Sequence, residues 1–522
     1  MEFEMIKRET LKPSSPTPQY LRNFKLSLLN QLSPAAYESL VLFYPRNDST
    51  TPQISLRILK KSLSETLVRF YPLAGRMKDN ISVDCNDYGV DYVEAKVNGL
   101  LSTFLSQPDA GTLRQLLPVG TESPEAGKGA LLLVQANVFG CGGLAIGICM
   151  SHKLADAASL STFIMSWSAT ALGFSQALLP DFTASFRFPP IDYSSSFHQS
   201  SPVDAKRENC VTKRFVFNAS KISALRTKAA STIVDQPTQA EAVTALIWRC
   251  AVAASRSSNS LQPPPKLSVL SQSVDIRKSV VPPLSDDSIG NLMGYFAAQT
   301  DENELELQGL VAQLRRGIKE LSNNYAKRPG KDQAIRESVK EVHNNFVKRD
   351  DTTSFYVGTD LGNYKLLYEV NFGWGKPIWL SNVPAASSTN VAYLVSTRKD
   401  DGIEAWVTLS EEDMAAFERN QELLAFALLN PSPGELYKVV PFEQHGHESY
   451  EFSLGFQLNV YDCGGFAIGL YAVLTSWRMG YPMLMFTKTW AAICRGEKYE
   501  AQIDSPDFVS ATLPTRQRCQ SL

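Results

Sequence analysis

Apolar positions along this chain recur with two different periods. From Ala130 to Met150 they run almost without a break, interrupted by Gln135, Asn137 and the glycines at 140, 142 and 143. That pattern predicts two buried strands joined by a glycine-rich turn, since a membrane span needs roughly 20 predominantly apolar residues without such interruptions. After Asp156 the spacing changes: Leu160, Phe163, Ile164 and Trp167 fall at the intervals of one helix face. The helical period returns in Leu307, Leu310, Val311, Leu314, Ile318 and Leu321, which leaves Arg315, Arg316, Lys319 and Glu320 on the face expected to meet solvent. Thr238 and Glu241 precede an apolar run to Trp248 with the spacing of a capping box, in which each side chain satisfies the other residue's backbone amide. Strand and helix signals alternate throughout, so the expected fold class is α/β with mixed sheets.

Breaks in the pattern divide the chain. From about Pro189 to Thr212 it is rich in Ser, Pro and polar residues with little apolar periodicity, as in a connection between domains. Near Leu429-Asn430-Pro431-Ser432-Pro433-Gly434 a helical pattern meets helix breakers. The expected divisions are 1–190, a connecting loop 191–212, 213–432, and a tail 433–522. The tail repeats part of the first: QANVFGCGGLAIG at 135–147 returns as QLNVYDCGGFAIG at 457–469, inside a wider match of 433–522 to 113–190. Two copies hundreds of residues apart are not a solenoid, so the tail reads as a partial duplicate.

Composition narrows the function classes. Eight cysteines without CxxC spacing suggest reduced core residues rather than a disulfide framework or a metal site. The first residues lack the apolar core of a signal peptide, no membrane span is expected, and a cytoplasmic location follows as the expectation. A net charge of -2 gives no electrostatic reason to expect nucleic acid and leaves a small molecule as the expected partner.

The chemistry concentrates where the predicted hairpin meets the predicted helix, in Ser151-His152-Lys153-Leu154-Ala155-Asp156. A histidine ending a buried strand just before a helix is well placed as a general base, while Asp156 suits a helix cap or a charge partner. By itself His followed four residues later by Asp is a weak signal, equally read as a core histidine beside a cap. Downstream stands Asn371-Phe372-Gly373-Trp374-Gly375, otherwise a tight turn with packed rings. The two motifs, in this order, resemble the HxxxD and DFGWG hallmarks of the plant BAHD acyltransferases. Arg69-Phe70-Tyr71-Pro72-Leu73-Ala74-Gly75-Arg76, Asp275-Ile276-Arg277, Gly290-Asn291 and Glu404-Ala405-Trp406-Val407 extend the resemblance over about residues 5–432, nearest to the vinorine synthase-like branch.

The resemblance implies two chloramphenicol-acetyltransferase-like domains with an active-site channel between them. It implies His152 as general base for transfer of an acyl group, acetyl first, from acyl-CoA to a hydroxyl or amine of a specialised metabolite. Acyl-CoA would be a co-substrate, with no permanently bound cofactor and no metal. Asp156 with Arg277, and Asn371, Gly373, Trp374 and Gly375, would be structural supports. Asp360, Gly362 and Asn363 stand where relatives line the acceptor pocket. Asn371 replaces the family's aspartate, and with the altered pocket it leaves open a second class, a BAHD-like binding protein with little or no turnover. A serine hydrolase is disfavoured, since no G-x-S-x-G elbow accompanies His152.

In the tail, Leu474-Thr475-Ser476-Trp477-Arg478-Met479-Gly480-Tyr481-Pro482 stands where HxxxD would fall. One permitted codon choice for it, CTC ACA AGC TGG CGG ATG GGG TAT CCC, reads in the neighbouring frame, after a leading T, as Ser-His-Lys-Leu-Ala-Asp-Gly-Val-Ser. The expectation is that residues from about 434 onward derive from a neighbouring gene copy carrying a frameshift or a misplaced splice boundary, with the frame restored before Phe486.

Overall fold

Strands Leu132–Phe139 and Leu144–Ser151 are the hairpin that the apolar run predicts, paired antiparallel from Leu132 opposite Met150 to Val138 opposite Leu144. They belong to a computed structural model that describes residues 1–47, 49–174, 178–191, 210–258, 267–301, 305–327, 353–384, 390–398, 402–431, 454–460 and 466–472. The turn closes with the amide of Gly142 donating to the carbonyl of Phe139 at 2.8 Å, and Gly142 has φ of 85°, a conformation that favours glycine. Gly147 is needed for a different reason: a Cβ there would lie 2.1 Å from the carbonyl oxygen of Leu116. The polar interruptions are satisfied internally, for Asn137 Nδ2 donates to the carbonyls of Leu116 at 3.0 Å and Ala145 at 3.2 Å.

This hairpin sits inside a mixed six-stranded sheet. Its order is Glu2–Leu11, Val90–Asn98, Leu132–Phe139, Leu144–Ser151, Tyr37–Tyr44 and Trp379–Asn382, with Val90–Asn98 and Leu132–Phe139 parallel and the other neighbours antiparallel. Both faces are covered. Val134, Ala136, Ile146 and Ile148 pack with Leu59 and Leu63 of helix Pro52–Arg69 and with Leu160, Phe163 and Trp167 of helix Ala157–Ala171. Leu133, Ala145 and Cys149 face a second cluster with Phe104, Leu113 and Leu116. A strand covered on both faces shows no polar alternation, which explains the continuous apolar run. Each large apolar side chain buried here contributes about 1.5–3 kcal/mol.

The second half builds a seven-stranded mixed sheet in the order Met293–Asp301, Leu267–Asp275, Thr353–Asp360, Val391–Ser396, Ile403–Ser410, Cys210–Phe217 and Leu428–Leu429. Helices Ala219–Ala229, Gln239–Ser258 and Leu307–Lys327 supply Leu225, Leu246, Trp248, Leu310 and Leu314 to its core. The capping box forms: Thr238 N donates to Glu241 Oε2 at 2.7 Å and Glu241 N to Thr238 Oγ1 at 3.1 Å. Arg315, expected to be solvated, instead forms an ion pair with buried Glu241, its Nη2 donating to Oε2 at 2.6 Å. The periodicity places Arg315 off the apolar stripe; the carboxylate that draws it inward comes from another helix.

One strand departs from a simple division of the chain near 191–212. Trp379–Asn382 leaves the second half and pairs antiparallel with Tyr37–Tyr44 at the edge of the first sheet. Of the proposed connecting loop, residues 192–209 lie outside the described residues.

The chain divides into two compact units, Met1–Ser432 and Pro433–Leu522. In the second unit strands Leu454–Val460 and Phe466–Ala472 pair antiparallel, with Gln457 opposite Gly469 and Leu454 opposite Ala472. Each pair is the counterpart of one in the first hairpin, where Gln135 faces Gly147 and Leu132 faces Met150. The segment 474–482 lies outside the described residues. Among the described residues no helix is long and apolar enough to cross a membrane, and cysteines 85, 141, 149, 210 and 250 are free thiols.

Candidate active site

His152 stands where a strand ends and a helix has yet to begin. Its amide donates to the carbonyl of Ala36 at 2.9 Å, and the amides of Leu154 and Ala155 fold back onto the carbonyl of Ser151 at 2.9 and 3.0 Å, so the loop is pinned on both sides. Nδ1 lies 3.2 Å from the carbonyl oxygen of Ala155 and 3.3 Å from Nδ2 of Asn291. Asn291 belongs to the second half of the unit, so the imidazole sits at the junction of the two halves, with 23% of its side-chain surface open. The neighbouring Lys153 turns away and donates to the carbonyl of Gln31 at 2.9 Å; burial pushes its ammonium down to about 8.

Asp156 caps helix Ala157–Ala171 by accepting from the amide of Ser159 at 2.9 Å. Its carboxylate also receives a fork from Arg277, with Nη1 to Oδ2 at 2.8 Å and Nη2 to Oδ1 at 2.9 Å, and the amide of Leu292 at 2.9 Å. Arg277 donates further to the carbonyl of Ser288 at 2.9 Å. Both side chains are 2% exposed. Burial works against the ionised carboxylate, but the charge and hydrogen bonds of Arg277 and the two amides hold its pKa below the usual carboxylate range. The pair thus joins the His152 loop to the segment carrying Asn291.

The other ring nitrogen of His152 meets a residue the motif search missed. Nε2 lies 3.3 Å from Oε2 of Glu38, on strand Tyr37–Tyr44, every residue of which is buried. The other carboxylate oxygen, Oε1, accepts from Asn382 Nδ2 at 3.1 Å and from the hydroxyl of Tyr364. Burial alone would lower the pKa of His152; the hydrogen bond and charge of Glu38, with smaller contributions from the Ala155 carbonyl and Asp156, raise it above the ordinary histidine value. The available signal in the sequence was a carboxylate inside the apolar run Tyr37-Glu38-Ser39-Leu40-Val41-Leu42-Phe43-Tyr44.

Tyr364 and Asn382 bracket the second motif. Asn371 Oδ1 accepts from the amides of Gly373 at 2.8 Å and Gly375 at 3.0 Å, and these glycines have φ of 112° and 107°. The turn buries Phe372 and Trp374 in the core beside the first sheet, against Tyr44, with Phe372 also against Trp167. Asn47 Nδ2 ties down the carbonyl of Trp374 at 3.0 Å. The motif thus anchors the stretch that brings Tyr364 and Asn382 to Glu38. Asp360 spends a carboxylate oxygen on the amide of Gly362 at 3.0 Å, closing the turn before Tyr364; the side chain of Asn363 lies outside the described residues. Among the described residues no group of three or more His, Cys, Asp or Glu side chains could hold a metal.

Three comparisons bear on the family and the fold. The family model described as the Transferase family matches residues 1–424. Epi-neemfruitin B 7-O-acetyltransferase of Melia azedarach is 36% identical over 454 residues, covering 83% of this chain and 100% of that protein. Salutaridinol 7-O-acetyltransferase of Papaver somniferum is 36% identical over 470 residues, covering 80% and 96%. Among solved structures, vinorine synthase superposes with a TM-score of 0.71 at 32% identity, over 83% of this chain and 100% of that one. With the match spanning both sheets and the loop between them that carries His152, the chain belongs to the Transferase family, the BAHD acyltransferases, and is an acyltransferase.

Proposed function

We propose that the protein transfers an acetyl group from acetyl-CoA to a hydroxyl of a specialised metabolite, with His152 as the general base in a channel between the two halves of Met1–Ser432. The observation that carries this reading is the position of the imidazole: it is held at the junction of the halves with Nδ1 turned into its own loop and Nε2 left as the nitrogen able to act. With Nδ1–H donating to Ala155, Nε2 holds the lone pair. Nε2 takes the acceptor's proton as its oxygen attacks the thioester carbonyl. The new C–O bond forms, the C–S bond breaks, and Nε2–H returns the proton to the departing thiolate, so no permanent cofactor is required. An amine acceptor would react by the same steps. The 7-O-acetyltransferases among the relatives support acetyl as the group and a hydroxyl as the acceptor. Asn371 gives little support to a silent binding protein, since its oxygen accepts the two turn amides.

The test is thioester consumption with acetyl-CoA and a panel of alcohols. Transfer by the wild type and a loss of about 10² to 10⁴ in His152→Ala, with an unchanged circular dichroism spectrum, is the expected result. Near-normal turnover by the variant removes His152 from the mechanism.

A further inference from the structure

Glu38 brings a carboxylate to Nε2 of His152, the nitrogen proposed to act, and that arrangement asks for a role. Nothing about a buried strand calls for a carboxylate: burying one without partners costs several kcal/mol, and this one has been given Tyr364, Asn382 and His152. The three partners come from separate elements, the 3-10 helix Gly362–Glu369, strand Trp379–Asn382 and the loop after strand Leu144–Ser151. Two of the partners hold one oxygen and leave the other for the imidazole. The contact is also long. A charge-assisted N–H to carboxylate bond settles at about 2.7–2.9 Å, whereas Nε2 to Oε2 is 3.3 Å. That length fits an Nε2 that carries its lone pair at rest, so the full charge-assisted bond to Oε2 is made only once Nε2 has taken a proton.

We propose that Glu38 is a positioning residue for acyl transfer, which fixes the imidazole and stabilises the imidazolium formed when Nε2 takes the acceptor's proton. The inference rests on His152 being the base. Glu38 itself neither gains nor loses a proton. The acceptor O–H bond breaks and the Nε2–H bond forms beside the carboxylate; the same proton leaves Nε2 for the thiolate, and the carboxylate is again opposite a lone pair. Tyr364 and Asn382 hold Oε1 and so fix the carboxylate with Oε2 facing the ring.

Other charged or titratable groups around His152 do not duplicate this. Asp156 is committed to Arg277 and two amides. Lys153 points to the carbonyl of Gln31. Tyr295 on strand Met293–Asp301, Tyr393 on strand Val391–Ser396 and Tyr364 are all kept neutral by burial, with the charge of Glu38 adding to it. Burial brings Lys153 down to about 8, with no contribution from Glu38.

The experiment compares wild type, Glu38→Gln, Tyr364→Phe and His152→Ala as full chains, with acetyl-CoA and the best alcohol of the panel. Glu38→Gln is expected to lower kcat about tenfold or more, to leave KM for acetyl-CoA within about twofold, and to move the acidic limb of the pH–rate profile to lower pH. Glu38→Asp is expected to recover part of kcat and return the limb toward wild type. Tyr364→Phe, which keeps the carboxylate but leaves Oε1 with Asn382 as its donor, should fall between. The chain has five histidines, so the His152 signal is assigned in an NMR titration by its loss in His152→Ala, and its midpoint is expected above that of an ordinary histidine in wild type and lower in Glu38→Gln. If Glu38→Gln does not fold, the wild-type midpoint and the Tyr364→Phe profile decide. An unmoved limb with kcat within twofold, or a wild-type midpoint at or below the ordinary value, overturns the role of Glu38. Transfer that survives in His152→Ala would instead overturn the base assignment.

Discussion

At the scale of single residues, His152 and Asp156 titrate in opposite directions, and the signs give separate predictions. Asp156 has a folded pKa below its unfolded value, so its contribution to stability is present above about pH 4 and is lost as the pH falls through the folded value. His152 has a folded pKa above its unfolded value, so its contribution is complete below about pH 6.5 and disappears as the pH rises through the folded value. As the proposed base, His152 must be neutral to accept a proton. Transfer should therefore increase with pH over the same range in which the His152 contribution to stability falls, which paired activity and urea-denaturation profiles will check. Removing one member of the buried pair strands the other, so Asp156→Ala and Arg277→Ala should each cost about 3–5 kcal/mol. A double-mutant cycle by denaturation is expected to show strong coupling, and an unchanged midpoint in Arg277→Ala would rule the pair out as a support.

At the scale of elements, the Asn371 turn and the strand after it act together. The turn satisfies the amides of Gly373 and Gly375 through one side-chain oxygen, and the chain then runs into strand Trp379–Asn382 at the edge of the first sheet. A carboxylate can accept the same two amides, more strongly because it is charged. Asn371→Asp should therefore be neutral or stabilising in thermal denaturation, whereas Asn371→Ala should cost about 0.5–1.5 kcal/mol, the net worth of a hydrogen bond at an exposed turn where water can replace the lost acceptor. If the turn also steadies Tyr364 and Asn382 behind Glu38, Asn371→Ala will lower kcat more than it raises KM. Equal wild-type kinetics in a folded Asn371→Ala protein would confine the motif to stability.

At the scale of the whole molecule, the second unit repeats the register of the hairpin that leads to His152 but not the residues that follow it. Its two described strands pair as Leu132–Phe139 and Leu144–Ser151 do, yet no His or Asp follows them at the place of HxxxD. The family match ends at residue 424, before this unit begins. The first unit contains both sheets and every side chain placed at the candidate site, whereas the described residues of the second unit form a two-stranded hairpin, too small a sheet to be stable alone. A protein ending at Ser432 should keep its transfer rate and melting temperature; loss of folding on truncation would show that the second unit is needed. Sequencing the coding DNA over 474–482 tests the frame change, which requires His and Asp codons in the shifted frame.

Local signals were enough for the hairpin, the helix after Asp156, the capping box at Thr238 and Glu241, and the likeness that carries His152. Each depends on residues within a few positions of one another, where period and spacing report geometry directly. Tertiary structure alone decided which groups meet across long separations. Arg315 looked solvated until the Glu241 helix packed beside it. Trp379–Asn382 reads as part of the second half, but its partner is Tyr37–Tyr44. Glu38 carried no motif, and its proximity to His152 exists only because strands Tyr37–Tyr44 and Leu144–Ser151 are adjacent in the sheet. Strand order is fixed by how whole faces are buried, a sum over distant residues, and so the sequence marked His152 while the fold set Glu38 beside it.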